Sequence, residues 1–248
     1  MPPPNFTELT LISPLGGSTG AKLYKDPTGK KWVVKTGAVG SGGFEQVKSE
    51  SIAHDVYELA GVRVPKHYLD MTNKALMLEY IEGKSLAEIS SDPVKLAKAK
   101  GELCRGFIMD ALLANWDVIG MHQDNILIPN DGSSAVRIDG GGSLTFRAMG
   151  GPKGEMWNEL VNEINTIRQG KTSSFVFGGV TDEEIKTQIT TIIKPNFYKI
   201  LCKVPHDLRP MIHKRLNTLL KLIGATMGGK RRTRKSKKTK KRRSSRKV

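Results

Sequence analysis

Asp117, Asn125 and Asp139 lie within residues 115–142, and side chains of these types hold hard cations and move protons. Residues 126–128 and 135–138 are short apolar runs separated by Pro129, Asn130, Asp131 and Gly132. That pattern predicts two antiparallel strands joined by a turn. Asn125 enters the first strand and Asp139 leaves the second, so folding the hairpin sets an amide oxygen beside a carboxylate. Such a pair suits Mg²⁺, with Mn²⁺ as the alternative, because a small hard cation keeps several waters and takes few protein ligands when phosphates supply the rest. Asp117, at the turn closing an apolar helix, is placed to accept a proton from an incoming hydroxyl. Asp124 competes for that role, although next to Asn125 in an extended segment it would point the other way. The plainer alternative is that these residues only make turns.

The chain around this stretch must supply the elements that face it. Residues 6–12 alternate loosely, and the cluster Gly16, Gly17, Ser18, Thr19, Gly20 separates them from a second strand at residues 21–24. A glycine-rich turn lets backbone amides approach phosphates, since no Cβ intervenes; a simple tight hairpin is the other reading. GGSTGAK is not a P-loop, because Ala21 separates Gly20 from Lys22 and no helix follows. Residues 31–35, KWVVK, form a β-branched strand ending in Lys35. Residues 44–60 have helical character, with Gly61 as a stop. Phe44, Val47, Ser51, His54 and Glu58 share a stripe of that helix with Glu50 beside it, whereas Glu45 sits near its start, where an acid favours the dipole. His54 reads as a plain helix-face histidine. Two further strands, residues 62–69 and 75–81, end in Glu79, Tyr80 and Ile81. From Asp92, apolar residues at 3.6 spacing (Leu96, Ala99, Leu103, Phe107, Ala111, Ala114) predict one helix that delivers Asn115 and Asp117. Residues 157–168, 182–193 and 206–223 read as three more amphipathic helices, the second capped at Thr181.

The order strand, glycine turn, strand, lysine strand, helix, two strands, then base, Asn, short hairpin and Asp-Gly resembles the catalytic core of the protein kinase-like superfamily. The resemblance is to its atypical branch, with HipA-like, phosphoinositide-kinase-like and actin-fragmin-kinase-like members. There is no His-Arg-Asp triplet and no Asp-Phe-Gly, and Asp117 and Asn125 are eight positions apart, where the usual spacing is about five.

The resemblance implies an α+β, two-lobed protein kinase-like fold. An antiparallel-sheet N-lobe would span residues 1–81, a mainly helical, reduced C-lobe residues 82–226, and a disordered Lys/Arg-rich tail residues 227–248. ATP would bind between the lobes. Gly16, Gly17, Ser18 and Gly20 would cover its phosphates, and Lys35, held by Glu50, would neutralise them. The backbone from Glu79 to Ile81 would meet adenine, Asn125 and Asp139 would bind Mg²⁺, and Asp117 would serve as base. The implied activity is transfer of the γ-phosphate to a hydroxyl, with protein Ser or Thr as first acceptor and a lipid head group or small molecule as second. The alternative from another class is a catalytically inactive kinase-like body, or an unrelated scaffold, that works through its tail.

The net charge of +16 over 248 residues is unevenly placed. Residues 230–248 hold 13 of the 40 Lys and Arg and no acid, which leaves the rest of the chain at +3. Such a segment cannot bury a core. It fits nucleic-acid phosphates or a nuclear-import signal, and fits an anionic membrane surface less well because no apolar face accompanies the charge. Thr233, Ser236, Thr239, Ser244 and Ser245 stand among its basic residues as phosphorylation targets. Similar tails occur on proteins packaged in large DNA viruses, so nucleus or virion is the expected location. Widely separated Cys104 and Cys202, with neither a signal-peptide pattern nor an apolar span, lead to the expectation of an intracellular, reducing compartment without a transmembrane segment.

Overall fold

Asn5 sets the first turn: its side-chain oxygen accepts the Thr7 N–H at 3.2 Å and closes a 3₁₀ turn over Phe6–Glu8. The first strand therefore starts later than the alternation predicts, as β1 (Thr10–Gly16). The structure, a computed structural model, describes residues 4–16, 20–37 and 42–225. The expected tail and Gly17 and Ser18 lie outside the described residues. β2 (Ala21–Lys25), β3 (Lys31–Lys35), α1 (Gly43–Leu59), β4 (His67–Asp70) and β5 (Ala75–Glu79) follow. β4 is shorter than the strand expected over residues 62–69, because Pro65 has no N–H to give a ladder.

The five strands form one antiparallel sheet in the order β1-β2-β3-β5-β4. Period-two alternation gives it two faces. Trp32, Val34, Ala75 and Met77 pack on the outer face under Phe6 and Leu9. Leu76 and Leu78, with Val33 and Leu69, pack on the inner face against Val47 of α1. The chain leaving β3 crosses the start of α1 at Gly37, where φ is +84° and a Cβ would overlap the Gly43 carbonyl. Glycine is needed there on both counts.

After the sheet, β6 (Gly83–Ser85) runs into α2 (Pro93–Cys104), whose N-terminus is capped by Asp92 accepting from the Lys95 N–H at 3.0 Å. The helix expected from Asp92 onward is broken at Arg105 and Gly106, and resumes as α3 (Phe107–Leu112). A Cβ on Gly106 would press on Val62 and on the Arg137 guanidinium, so the break brings the chain close to both. The expected hairpin forms from β7 (Ile126–Pro129) and β8 (Val136–Arg137), with Ile126 opposite Arg137 and β6 on the outer edge of β7.

The three later helices differ from their expected bounds. In the first, the Asn158 side chain captures the Leu160 N–H at 2.9 Å, a local turn that competes with helix. Regular helix then begins only at α4 (Glu163–Gln169), followed by α5 (Ser174–Phe177). α6 (Asp182–Gln188) opens with a capping box between Thr181 and Glu184. It widens into a π-turn over Ile189–Ile193 before α7 (Lys194–Lys203). Pro195 explains the widening, since its ring lacks an N–H and would clash with the carbonyl four residues back. α8 (Arg209–Lys221) starts next to Pro210, a residue preorganised for a first turn. Phe107, Leu112, Phe177, Phe197, Ile212 and Leu216 form one continuous core, and Ala53, Val56 and Tyr57 of α1 belong to it. No helix among the described residues is long and apolar enough to cross a membrane.

Candidate active site

A cleft of about 310 Å³ opens between the five-stranded sheet and the β6–β8 sheet. Leu15, Ala21, Val33 and Leu78 form one wall, Leu127 and Ile138 the other, and Glu79, Tyr80 and Ile81 the connecting edge. Gly16, Lys35, Asp124, Asn125 and Asp139 also line it. Three larger cavities lie elsewhere among the described residues, two of about 370 Å³ and one of about 640 Å³, but none joins apolar walls to converging carboxylates.

The connecting edge is backbone in character. The Glu79 carboxylate is turned to Lys30, 2.8 Å away. The Glu79 N–H donates to the Lys66 carbonyl and the Tyr80 N–H to the Lys31 carbonyl, at 2.8 and 3.1 Å. Tyr80 and Ile81 follow β5 outside its ladder and line the cleft together with Pro65.

Lys35 ends β3 on the cleft face, one residue after the outward-facing Val34. Its ammonium lies 2.6 Å from Glu50 Oε1 and 3.5 Å from Asp139 Oδ1, and the residue is only 5% exposed. Glu50 is fully buried on α1 and also accepts the Gly140 N–H at 3.2 Å. Burial pushes the Glu50 carboxyl up, to about 7, against the pull of Lys35. Burial alone would lower the Lys35 pKa, but Asp139 and Glu50 outweigh it and hold it above the ordinary value. The two directions oppose each other. Two donors converging on one Glu50 oxygen favour the ionised pair once pH exceeds that value. Glu45, the rival on α1, is exposed and bonds Lys48 instead.

His54, one turn beyond Glu50 on the same helix, is completely buried. Its Nε2 is 3.9 Å from Glu50 Oε1 and neither ring nitrogen has a hydrogen-bond partner. Burial first, then the neighbouring His67 and Lys35 charges, pull its pKa well below the usual value, so the ring is neutral.

The loop of residues 117–125 folds back on itself to absorb its extra length. Gly120 and Gln123 take positive φ of 79° and 58°, and the Asn125 N–H reaches the Ile119 carbonyl at 3.3 Å. Asn125 Nδ2 donates to the Asp117 carbonyl at 2.6 Å and to Asp117 Oδ2 at 3.2 Å. Contrary to the expectation from extended alternation, Asp124 and Asn125 both line the cleft, because the chain there is a turn rather than a strand. Burial raises the Asp117 pKa, its Asn125 bond offsets part of the rise, and Asp139 and Asp124 add to it.

The donor set of Asn125 and Asp139 fits a hard cation. With the Asn125 nitrogen spent on Asp117, its oxygen is the atom left to face the cleft. Asp139 uses Oδ1 for the Gly141 N–H and Lys35, leaving its second oxygen. Among the described residues no group of three or more His, Cys, Asp or Glu could hold a metal alone, so further ligands would have to come from phosphate and water.

Three buried polar constructions behind the cleft were not read from the sequence. Arg137 pairs with Asp110 at 2.6 Å, Tyr57 donates to Asp110 at 2.8 Å, and Asn115 donates to the Tyr57 oxygen at 3.1 Å. Arg215 donates to the Leu112, Ala111 and Asn158 carbonyls and to Glu163. Lys153 donates to three carbonyls. A basic residue inside an otherwise apolar helical stripe is the one visible signal, and it applies to Arg215 alone.

A five-stranded sheet over one helix, an edge of exposed backbone, and a lysine–glutamate pair facing an Asn and an Asp across a cleft define a two-lobed, protein kinase-like fold. Among solved structures, a proinflammatory kinase, CtkA, of Helicobacter pylori resembles the chain with a TM-score of 0.53 at 12% identity, over 90% of this chain and 95% of that one. A choline kinase, LicA, of Streptococcus pneumoniae aligns at a TM-score of 0.42 and 16% identity, over 88% and 95%. No protein-family model matches the sequence, and no curated protein sequence does.

Proposed function

We propose that the chain is an ATP- and Mg²⁺-dependent phosphotransferase that passes the γ-phosphoryl group to a protein Ser or Thr hydroxyl. The observation that carries this reading is Lys35, buried between Glu50 and Asp139 in a cleft that Asn125 also lines. Structural likeness to a protein described as a kinase supports it. Adenine would lie between Val33 and Leu127, against the Glu79–Ile81 backbone. Gly16, Gly17, Ser18 and Gly20 would run over the phosphates.

Lys35 offers its ammonium to the phosphate oxygens and stays in place because Glu50 fixes it. Asn125 and Asp139 would hold Mg²⁺, or Mn²⁺, and the bound cation supplies neutralisation of phosphate charge. Asp117 takes the proton of the acceptor hydroxyl as that oxygen bonds to the γ-phosphorus and the bond to the bridging oxygen breaks, releasing ADP. Its raised pKa brings its basicity nearer to that of a useful proton acceptor. Positioning and electrostatics supply most of the rate in such a transfer. The tail of residues 230–248 would tie the enzyme to nucleic acid or carry it to the nucleus.

The experiment is Mg²⁺-dependent transfer from γ-labelled ATP into a protein mixture, with lipid and small-alcohol acceptors in parallel. Label on protein with the wild type, and none with Lys35→Ala or Asp139→Asn, is the expected result. Label on lipid or small alcohol alone moves the acceptor class. If ATP binds and no label moves to any acceptor or to water, the enzyme reading is lost and the tail becomes the working part.

A further inference from the structure

Segment 140–153 follows Asp139 and joins the metal-facing carboxylate to the helical lobe. Its attachments are unusually internal. Lys153 is 1% exposed, and its ammonium donates to the Ala114 carbonyl at 2.7 Å and to the Gly142 and Leu144 carbonyls at 2.8 Å each. Ala114 precedes the Asp117 loop, whereas Gly142 and Leu144 follow Asp139. One cation therefore joins both sides of the site. The same seam is stitched by backbone bonds, Trp116 N–H to the Gly142 carbonyl and Leu144 N–H to the Leu113 carbonyl, and the Trp116 ring stands 4.9 Å from the Lys153 ammonium. Burial pulls the Lys153 pKa down to about 6; three carbonyl acceptors, which call for the three N–H donors that only the charged amine has, work against that pull.

From the other side, Gln46 of α1 donates to the Gly141 carbonyl at 3.3 Å and the Ala148 carbonyl at 3.1 Å. Ser49, one turn on, reaches the Ser143 carbonyl, and Glu50 takes the Gly140 N–H. α1 thus grips the segment through the helix that also carries the partner of Lys35.

The segment contains few places for a regulatory phosphate. Its hydroxyl residues are Ser143 and Thr145, and it has no tyrosine. Ser143 is completely buried and Thr145 half-buried. A phosphate group orders a segment by bringing charge to arginines that wait for it. Here the ordering donors are already present, on the protein's own Lys153.

We infer that Lys153 and Gln46 clamp segment 140–153 in its working position from within, so that the site assembles without phosphorylation of that segment. Lys153 is then a positioning residue, acting through the carbonyls that align Asp117 with Asp139. The consequence for catalysis rests on the phosphotransferase reading; the clamp itself does not.

Full-length protein tests it in two arms. In the first, wild type is treated with phosphatase until mass spectrometry shows no phosphate, and transfer of γ-label is measured. Activity within twofold of the untreated enzyme is expected, and a tenfold loss reversed by rephosphorylation within residues 140–153 overturns the inference. In the second, Lys153→Met is compared with Lys153→Arg. Loss of at least tenfold in kcat with KM for ATP unchanged, and partial recovery with arginine, is expected; unchanged kcat, or a loss confined to KM, overturns it. Amide hydrogen exchange gives a readout that needs no activity: residues 141–150 should be protected in wild type and exchange faster in Gln46→Met, which cuts the other tether. Fast exchange there in wild type overturns the clamp even if Lys153→Met fails to fold. A wild type that transfers no label but keeps this protection would cost the proposed function and leave the clamp standing.

Discussion

Asn125 gives its amide nitrogen to Asp117, at 2.6 Å to the backbone carbonyl and 3.2 Å to the carboxylate. One side chain thereby fixes the proposed base and frees its own oxygen for a cation. Asn125→Ala removes both, and the loss should show as a weaker apparent Mg²⁺ affinity together with a fall in kcat of about 10² or more, the size expected when an electrostatic or positioning group at a reacting centre is lost. A Mg²⁺ titration of transfer at saturating ATP measures the two separately; a change in kcat with no change in Mg²⁺ dependence would remove Asn125 from the metal.

Gly120 lets the loop between these two residues turn back, with φ of 79°, and a Cβ there would overlap the Asp124 carboxylate and crowd Asn125. Gly120→Ala should cut kcat by about tenfold or more, in line with the cost of small misplacements at a reacting centre. Affinity for ATP should change little, since Lys35 and the Glu79–Ile81 edge are distant in sequence and belong to the other lobe. Equilibrium binding of a nonhydrolysable ATP analogue separates the two effects, and a parallel loss of binding would mean that the loop also shapes the nucleotide pocket.

Glu50 sets a pH dependence with a definite sign. Burial raises its pKa from 4.5 to about 7, so between those values the folded chain holds a proton that the unfolded chain releases. Its contribution to stability is full below the lower value and is lost as pH rises through the upper one. Glu50→Gln lacks this term. The stability difference between wild type and variant, followed by thermal unfolding across that interval, should shrink as pH rises; a difference that grows would mean that the ion pair with Lys35 dominates throughout. Activity should run the other way, rising as Glu50 ionises and fixes Lys35.

Asp110 neutralises Arg137, itself 3% exposed, and anchors Tyr57 and through it Asn115. Asp110→Ala leaves a buried guanidinium without its partner and should cost about 3–5 kcal/mol. Tyr57→Phe breaks two buried hydrogen bonds and should cost about 1–3 kcal/mol. Urea unfolding monitored by tryptophan fluorescence measures both, and equal, small effects would mean that water reaches this network.

Removal of residues 226–248 takes away the 13 Lys and Arg of the basic tail. Retention on duplex DNA at low salt should vanish, while transfer of label to a protein mixture should persist. For the intact chain, log affinity against log salt should fall with a slope of about −0.9 for each phosphate contacted. A truncated chain that still binds DNA would move the interface to the globular body.

The residues that face the cleft were more legible than the residues behind it. Lys35 and Glu50 stand in elements whose order is visible in the pattern of apolar residues and glycines, and the β7–β8 hairpin follows from two apolar runs about a Pro-Asn-Asp-Gly turn. Alternation would separate Asp124 from Asn125 only in an extended segment, and Gln123 at positive φ bends the chain there. Arg137 and Lys153 were invisible for a different reason, and Arg215 showed only as a basic residue inside an apolar helical stripe. A buried cation is defined by the carbonyls and carboxylates that surround it, and those come from residues far away in the sequence. The break at Gly106 is of the same kind, since the side chains of Val62 and Arg137 demand it, not the local spacing.

The apolar interior has unequal parts. Ala53, Val56 and Tyr57 tie α1 into the large core of the helical lobe, while the five-stranded sheet has two small clusters on its opposite faces, the inner one shared with Val47 of α1. In an unfolding landscape, α1 then belongs to the more stable cooperative unit and the sheet to a weaker one that can open first. The Lys35–Glu50 pair spans that boundary, so a nucleotide bridging Lys35 and the Glu79–Ile81 edge would raise the opening free energy of the sheet more than that of the helical lobe.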